Sequence, residues 1–261
     1  MDVKPLVTVI AVRAAQAAAI SVIAQRALGW PFRGRLWRLN GAITTLLLAS
    51  DICFVFIPFW RWGLPIVTDL AESGEPEIAL TFDDGPDPEI TPQILDILAA
   101  ENVRATFFML QDRAEANQDL VRRVVAEGHT VAVHGRTHEQ LATRSARYVE
   151  RELRTAAEAF AAMTSGSLPT LYRPPYGFKS LALLVAARRC RMRVVLWSID
   201  SLDYLYRTPE AIAGRVCKRI RPGAIVLMHD GPGRHASIPA LRIIMADVKR
   251  RGLRCVCVPD R

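Results

Sequence analysis

The chain has 261 residues, 51% of them hydrophobic and 23% charged, which excludes a disordered or low-complexity polymer and allows one large core. Thirty-four Lys and Arg against 26 Asp and Glu give a formal charge of +8; the excess is spread along the chain and gathers on no single segment, so no nucleic-acid partner is expected. Five cysteines at no regular spacing, Cys53, Cys190, Cys217, Cys255 and Cys257, indicate neither a disulfide framework nor a CxxC metal site and read as buried free thiols.

Residues 1–74 form a first, hydrophobic unit. The run at 39–60, LNGAITTLLLASDICFVFIPFW, carries Asp51 as its one charge. At 1.5 Å per residue it is long enough to cross a hydrocarbon core of roughly 30 Å. Residues 5–30 are also apolar but are interrupted by Arg13 and Arg26, and read as a second span or an interfacial helix. Arg33, Arg35 and Arg38 lie between the two runs, with Trp30, Trp37, Trp60 and Trp62 at the flanks. Clustered arginines favour the cytoplasmic side, so the expectation is a membrane-anchored chain whose remainder lies on the extracytoplasmic side.

From residue 75 short β-rich runs alternate with helical patterns. Strands are expected at 78–82, 103–110, 129–133, 170–172, 194–199, 224–228 and 253–258. Helices are expected at 92–101, 115–127, 146–163, 180–189, 208–219 and 237–251. Gly128, Gly223 and Gly252 stand where helices hand over to strands, positions that favour a left-handed residue. The alternation predicts an α/β domain with a parallel sheet, either doubly wound or closed into a barrel.

The chemistry-bearing residues gather at the strand ends. The first strand runs into Asp83-Asp84-Gly85-Pro86, two adjacent carboxylates of which one can bind a cation while the other stays free. The third ends VAVHGRTH, placing His134 and His138 four apart in a loop or first helical turn; with a carboxylate from another strand they make a His2Asp set with an open coordination position. The fourth ends in LYRPPYG, where two prolines hold Arg173 and Tyr176 on a stiff segment and the guanidinium can keep a carboxylate ionised. The fifth ends in WSIDSLDY, offering Asp200, Asp203 and Tyr204, and the sixth in LMHDG, offering His229 beside Asp230. All fall at the C-terminal ends of parallel strands, the face on which α/β enzymes build active sites. His129 and His235 lie elsewhere and read as structural or solvated.

The ordered motifs TFDDGPDP, HGRTH, RPPYG, DSLDY and LMHDG resemble those of the polysaccharide deacetylase family, also called the NodB-homology or carbohydrate esterase 4 domain, over residues 75–261. The resemblance implies a distorted (β/α)7 barrel, here with an N-terminal hydrophobic helical extension. It also implies removal of N- or O-acetyl groups from a carbohydrate such as peptidoglycan or chitooligosaccharide, with one divalent metal, Zn2+ foremost and Co2+ or Mn2+ as alternatives. Asp84, His134 and His138 would bind the metal, and Asp83 would be the general base, held by Arg173. His229 would be the general acid, paired with Asp203. Tyr176 would offer a backbone N–H to the oxyanion, and Tyr204 and Leu227 would line the acetyl groove. Two departures stand out. Val133 and Gly135 flank His134 where the family usually has Asn and Ser or Thr, side chains that brace the loop, and Tyr204 replaces the usual Trp. Deacylation of a lipid-linked sugar and a non-catalytic carbohydrate-binding barrel are the alternatives. The loops look short, without a clear sugar-stacking platform.

Overall fold

A computed structural model describes residues 66–71, 75–164, 166 and 168–260. In chain order the elements are β1 (Ile66–Val67), β2 (Glu77–Asp83), α1 (Thr91–Ala100), β3 (Thr106–Leu110), α2 (Gln111–Ala116), α3 (Gln118–Ala126), β4 (Thr130–Gly135), α4 (Ala146–Met163), β5 (Leu171–Tyr172), a single 3-10 turn (Pro175–Gly177), α5 (Leu181–Arg189), β6 (Arg193–Val195), β7 (Ile199–Asp200), α6 (Pro209–Cys217), β8 (Ile225–His229), α7 (Ser237–Arg250) and β9 (Arg254–Cys255). Three of the helices start where a side chain replaces a missing backbone partner. Ser145, Ser180 and Thr208 accept N–H groups in the first turns of α4, α5 and α6. Along α4, Val149, Leu153, Ala156, Phe160 and Met163 recur at three- and four-residue intervals and form one buried stripe.

The strands pair in parallel in the order β1-β6-β5-β4-β3-β2-β8-β7, with β9 paired to the first residues of β2. β6 and β7 are two pieces of one run. The first pairs with β5 and the second with β8, so the sheet returns on itself through residues 193–200. At the opposite end of that run β1 fills the wedge: it pairs with β6, and beyond it Asp69 bridges Ala224 while the Leu70 N–H donates to the Gly223 carbonyl at 2.8 Å. The result is the distorted parallel barrel and not the open, doubly wound sheet.

Strand alternation sorts side chains into two layers. Ile78, Leu80, Phe82, Phe107, Met109, Val133, Tyr172, Val226 and Met228 face the helices in the main core. Ala79, Phe108, Ala132, Leu171, Val195 and Ile225 face inward as a second, smaller cluster. Two to four residues further along the same inward rows come Thr81, Asp83, His134, Arg173, Leu227 and His229. The site is the upper layer of the barrel interior.

Several expectations change. Ile66, Val67 and Asp69, on the far side of the expected boundary at 74, pair with the sheet. The expected fifth strand breaks at Leu196–Ser198, where the run changes neighbours. The helix expected at 115–127 is two helices hinged at Asn117. Only Arg254–Cys255 of the last expected strand pairs. Cys190, Cys217, Cys255 and Cys257 are free but half-buried, not buried. The expected anchor and Cys53 lie outside the described residues; among the described residues no helix is long and apolar enough to cross a membrane.

Candidate active site

Alternation along β2 would send Asp83 inward and Asp84 away. Asp84 has φ of 73°, a left-handed turn that brings the second carboxylate back over the barrel mouth; Asp tolerates this conformation better than most residues. On β4 a one-residue bulge does similar work. Met109 pairs with Val133 and Leu110 with Gly135, leaving His134 as the extra residue, and bulges re-aim side chains in this way. His138 (φ 64°) and Tyr176 (φ 62°) are also left-handed, strain that the surrounding structure holds in place.

Asp84, His134 and His138 converge. Asp84 Oδ1 stands 3.5 Å from His134 Nε2 and 3.3 Å from His138 Nε2, and the three ligand atoms lie within 4.8 Å of one another. His134 Nδ1 is 2.8 Å from the Arg173 carbonyl; a carbonyl only accepts, so that nitrogen carries the proton and Nε2 presents a lone pair. Asp84 Oδ1 is buried with no hydrogen-bond partner. An unpartnered carboxylate oxygen facing two imidazole nitrogens fits a divalent cation. Burial pushes the Asp84 carboxyl upward, but the neighbouring imidazoles of His134, His138 and His229 prevail and hold it well below the usual carboxylate range. Burial, aided by the neighbouring imidazoles, lowers His138 to about 4 against the pull of Asp84 and Asp83. The neutral form, the one that ligates metals, is therefore dominant at neutral pH.

On one side of this trio lies a fully buried ion pair. Arg173 donates to Asp83 Oδ1 at 2.6 Å, to Thr81 Oγ1 at 2.8 Å and to the carbonyls of Val195 and Leu196 at 3.2 and 2.9 Å. Its guanidinium carbon stands 4.0 Å from the Phe108 ring centroid. Burial lowers the Arg173 pKa and Asp83 opposes that shift. Asp83 Oδ2 is left toward the trio, 3.8 Å from His134 Nε2.

On the other side, Asp203 Oδ1 accepts from His229 Nδ1 at 2.6 Å, while Oδ2 accepts from the His229 N–H at 2.8 Å and from Ser237 Oγ at 2.7 Å. Burial alone would depress the His229 pKa. The charge and hydrogen bond of Asp203, with help from Asp84 and Asp83, push it up to about 9. Burial likewise raises Asp203, but His229 and its other donors bring it below the usual range. His229 is partly open to the cleft, its side chain 12% exposed.

A cleft of ~310 Å³ joins these groups. Tyr176, edge-on to the His138 ring at 4.4 Å, and Tyr204, edge-on to His229 at 5.5 Å, form two of its walls with Leu227. The Tyr204 hydroxyl donates to Asp200 Oδ2 at 3.1 Å. Eight of the ten expected site residues line this cleft, and Arg173 and Asp203 stand behind it, bonded to Asp83 and His229. His129 and His235 take no part: the first accepts the Ala105 N–H, and the second is exposed.

Other participants were missed. Trp197 and Phe178 also line the cleft, so it is rich in aromatic rings where no stacking platform was expected; the signal was Trp197 on an inward row. Asp230 is fully buried and packs under the DDG turn, where a Cβ on Gly85 would fall 2.1 Å from its Oδ2. Burial and the charges of Asp84 and Asp83 raise it to about 7, against a hydrogen bond from Thr91. Arg113 donates to the Asp84 carbonyl at 2.9 Å, and Arg234 lines the rim.

Comparison with known proteins places these features in a family. The family model described as polysaccharide deacetylase matches residues 71–195. A chitooligosaccharide deacetylase from Bradyrhizobium sp. (strain ANU 289) is 37% identical over 200 residues, covering 72% of this chain and 91% of the relative. The crystal structure of a peptidoglycan N-acetylglucosamine deacetylase in complex with an N-hydroxybenzamide superposes with a TM-score of 0.74 at 33% identity, covering 78% of this chain and 96% of that one. A carbohydrate esterase family 4 pseudoenzyme from Bacillus anthracis shares the fold, with a TM-score of 0.69 at 24% identity over 75% of this chain and 68% of that one. A shared fold therefore does not decide activity; the residues at the site do.

Proposed function

The chain belongs to the polysaccharide deacetylase family, and from that premise we propose that it is a metal-dependent hydrolase that removes acetyl groups from the nitrogen of an amino-sugar polymer or oligosaccharide. The observation that carries this reading is the placement of two acid–base pairs, Asp83–Arg173 and His229–Asp203, on either side of the Asp84, His134 and His138 donor set.

Amide hydrolysis requires an activated water, a polarised carbonyl and a proton for the leaving nitrogen. A divalent cation, Zn2+ foremost, held by Asp84, His134 and His138 would polarise the acetyl carbonyl and acidify the attacking water. Asp83, oriented by Arg173, accepts the proton of that water through its second oxygen. The backbone N–H of Tyr176 supports the developing oxyanion. His229, protonated below about pH 9, gives its Nε2 proton to the departing amine, while Asp203 fixes its tautomer and orientation. Leu227 and Tyr204 flank the acetyl methyl and keep bulk water away. The apolar run at 39–60 and the arginines before it support attachment to a membrane with this domain on the extracytoplasmic side.

The test is acetate release from chitooligosaccharides and peptidoglycan fragments by zinc-loaded protein, with and without chelator. Release is expected from at least one substrate, abolished by chelator and restored by metal. Asp83→Asn should lower the rate by about 10²- to 10⁴-fold. No release from any substrate, or a fully active Asp83→Asn protein, would overturn the reading.

A further inference from the structure

Every carboxylate that lines the cleft already has a partner. Asp83 has Arg173, Asp84 faces two imidazoles, and Asp200 accepts from the Tyr204 hydroxyl and the Leu202 N–H. Asp203, just behind the wall, holds His229. One charge is unmatched. Arg234 lines the same cleft, and among the described residues no carboxylate lies within ion-pair distance of it. It is also the only Arg or Lys among the residues that line the cleft. Other arginines without a carboxylate partner among the described residues, such as Arg104, Arg147, Arg188 and Arg242, line no part of this cleft, so its position and not its lack of a partner sets Arg234 apart.

The backbone of Arg234 is held in place relative to the proton donor. Its carbonyl accepts the Ser237 N–H at 2.9 Å. Ser237 Oγ donates to Asp203, and Asp203 accepts from His229. Three short links tie the rim arginine to the group facing the leaving nitrogen. The loop between them, Gly231–Gly233, carries no side chain larger than Pro232. Gly231 packs against Asp84 and Arg113: a Cβ there would fall 2.7 Å from the Asp84 Cβ and 3.1 Å from Arg113 Nη1. Arg113 hydrogen-bonds a carbonyl and has no carboxylate partner either. The loop therefore runs from one unmatched guanidinium to another along the His229 side of the mouth.

We propose that Arg234 is a specificity-determining residue that binds an anionic group, a carboxylate or a phosphate, on the sugar undergoing deacetylation or on its neighbour. The proposal rests on the deacetylase reading and narrows it from amino sugars in general to acidic ones. Two sources share this chemistry: a lactyl-type carboxylate on an adjacent polymer residue, and a phosphate on the anomeric carbon, free or lipid-linked. A planar guanidinium suits both through paired N–H donors.

The test compares neutral chitotetraose, an N-acetylglucosaminyl-N-acetylmuramic acid oligomer and N-acetylglucosamine 1-phosphate as substrates for the metal-loaded full chain and its Arg234→Gln and Arg234→Lys variants. The readout is the ratio of kcat/KM for each acidic substrate to that for the neutral one, with equilibrium binding of the same three compounds measured in parallel. Arg234→Gln should lower the ratio roughly tenfold or more, chiefly through KM, and Arg234→Lys should restore part of it. The acidic compound that loses most in Arg234→Gln identifies the source. Equal losses on neutral and acidic substrates, or no loss, would overturn the proposal while leaving the deacetylase reading intact. Absence of turnover on all three would defeat the deacetylase reading, and the binding arm then decides the anion proposal alone: acidic compounds that bind wild type no tighter than chitotetraose overturn it.

Discussion

His229 owes its chemistry chiefly to one neighbour. Burial by itself would leave this imidazole neutral, and the Asp203 carboxylate reverses the sign, raising it to about 9. Asp203 spends both oxygens on three donors from β8 and α7, so it has little freedom to turn away. A proton donor must be loaded, so activity should hold below pH 9 and fall as pH rises through that value. Asp203→Asn removes the largest opposing charge and leaves burial countered only by the weaker pull of Asp84 and Asp83, which should carry the alkaline limb of kcat/KM down by more than one pH unit and lower the rate at pH 8 by tenfold or more. A limb that stays in place would show that His229 is not the group that titrates. Arg173 is a poorer probe. It is fully buried with four hydrogen-bond partners, and its removal would leave a buried carboxylate unpaired, at a cost of about 3–5 kcal/mol that would confound folding with catalysis.

At the scale of elements, the bulge on β4 explains the departure around His134, the first histidine of the candidate metal site. Gly135 has φ of 111°, with only Pro175 Cγ near a built Cβ, at 3.8 Å. Space is not the constraint; backbone conformation is. Restoring the serine usual in the family should therefore strain the loop instead of bracing it. Gly135→Ser is expected to lower stability by ~1–2 kcal/mol in chemical denaturation and to weaken zinc binding roughly tenfold in chelator competition, and unchanged values in both would remove the strain argument. The elements legible in the sequence were those buried on both faces. Strands such as β2 and β3 read as continuous apolar runs, and the chemistry at their C-terminal ends fell into order once those ends were placed. Illegible features came from backbone geometry and long-range pairing. Nothing in the residue types at 193–200 says that the run changes partner midway, since the apolar sequence Val194, Val195, Leu196 and Trp197 runs straight into the switch. Left-handed turns at Asp84 and His138 leave only a weak mark in residue type, since Asp and His merely tolerate them better than most, yet they decide that both side chains reach the mouth. Asp230 and Trp197 sat inside quoted motifs and still went without a role, because their importance lies in what they pack against: a glycine turn in one case and the Gly177 backbone in the other.

For the molecule as a whole, the decisive feature is how the barrel closes. β7 meets β8 directly at the active-site end, but at the other end the gap between β6 and β8 is filled by residues 66–70. Ile66 is in the main core, while Val67 and Leu70 cover the inward cluster around Val195 and Ile225, where Trp197 also packs. Their backbone adds bonds from the Leu196 N–H to the Val67 carbonyl and from the Leu70 N–H to the Gly223 carbonyl, and Asp69 pairs with Arg221. Burying three such side chains contributes on the order of several kcal/mol, a large part of the 5–15 kcal/mol typical of a domain. The same run of β6 supplies the Val195 and Leu196 carbonyls that hold Arg173, so loosening it would reach Asp83. A chain beginning at residue 75, where the apolar extension was expected to end, should unfold at lower denaturant than one beginning at residue 62, by about 3 kcal/mol or more. Its Trp197 should emit at longer wavelength, and its acetate release should fall even where it remains folded. Equal denaturation midpoints and equal rates for the two chains would mean that β1 is an ornament on a barrel that closes without it.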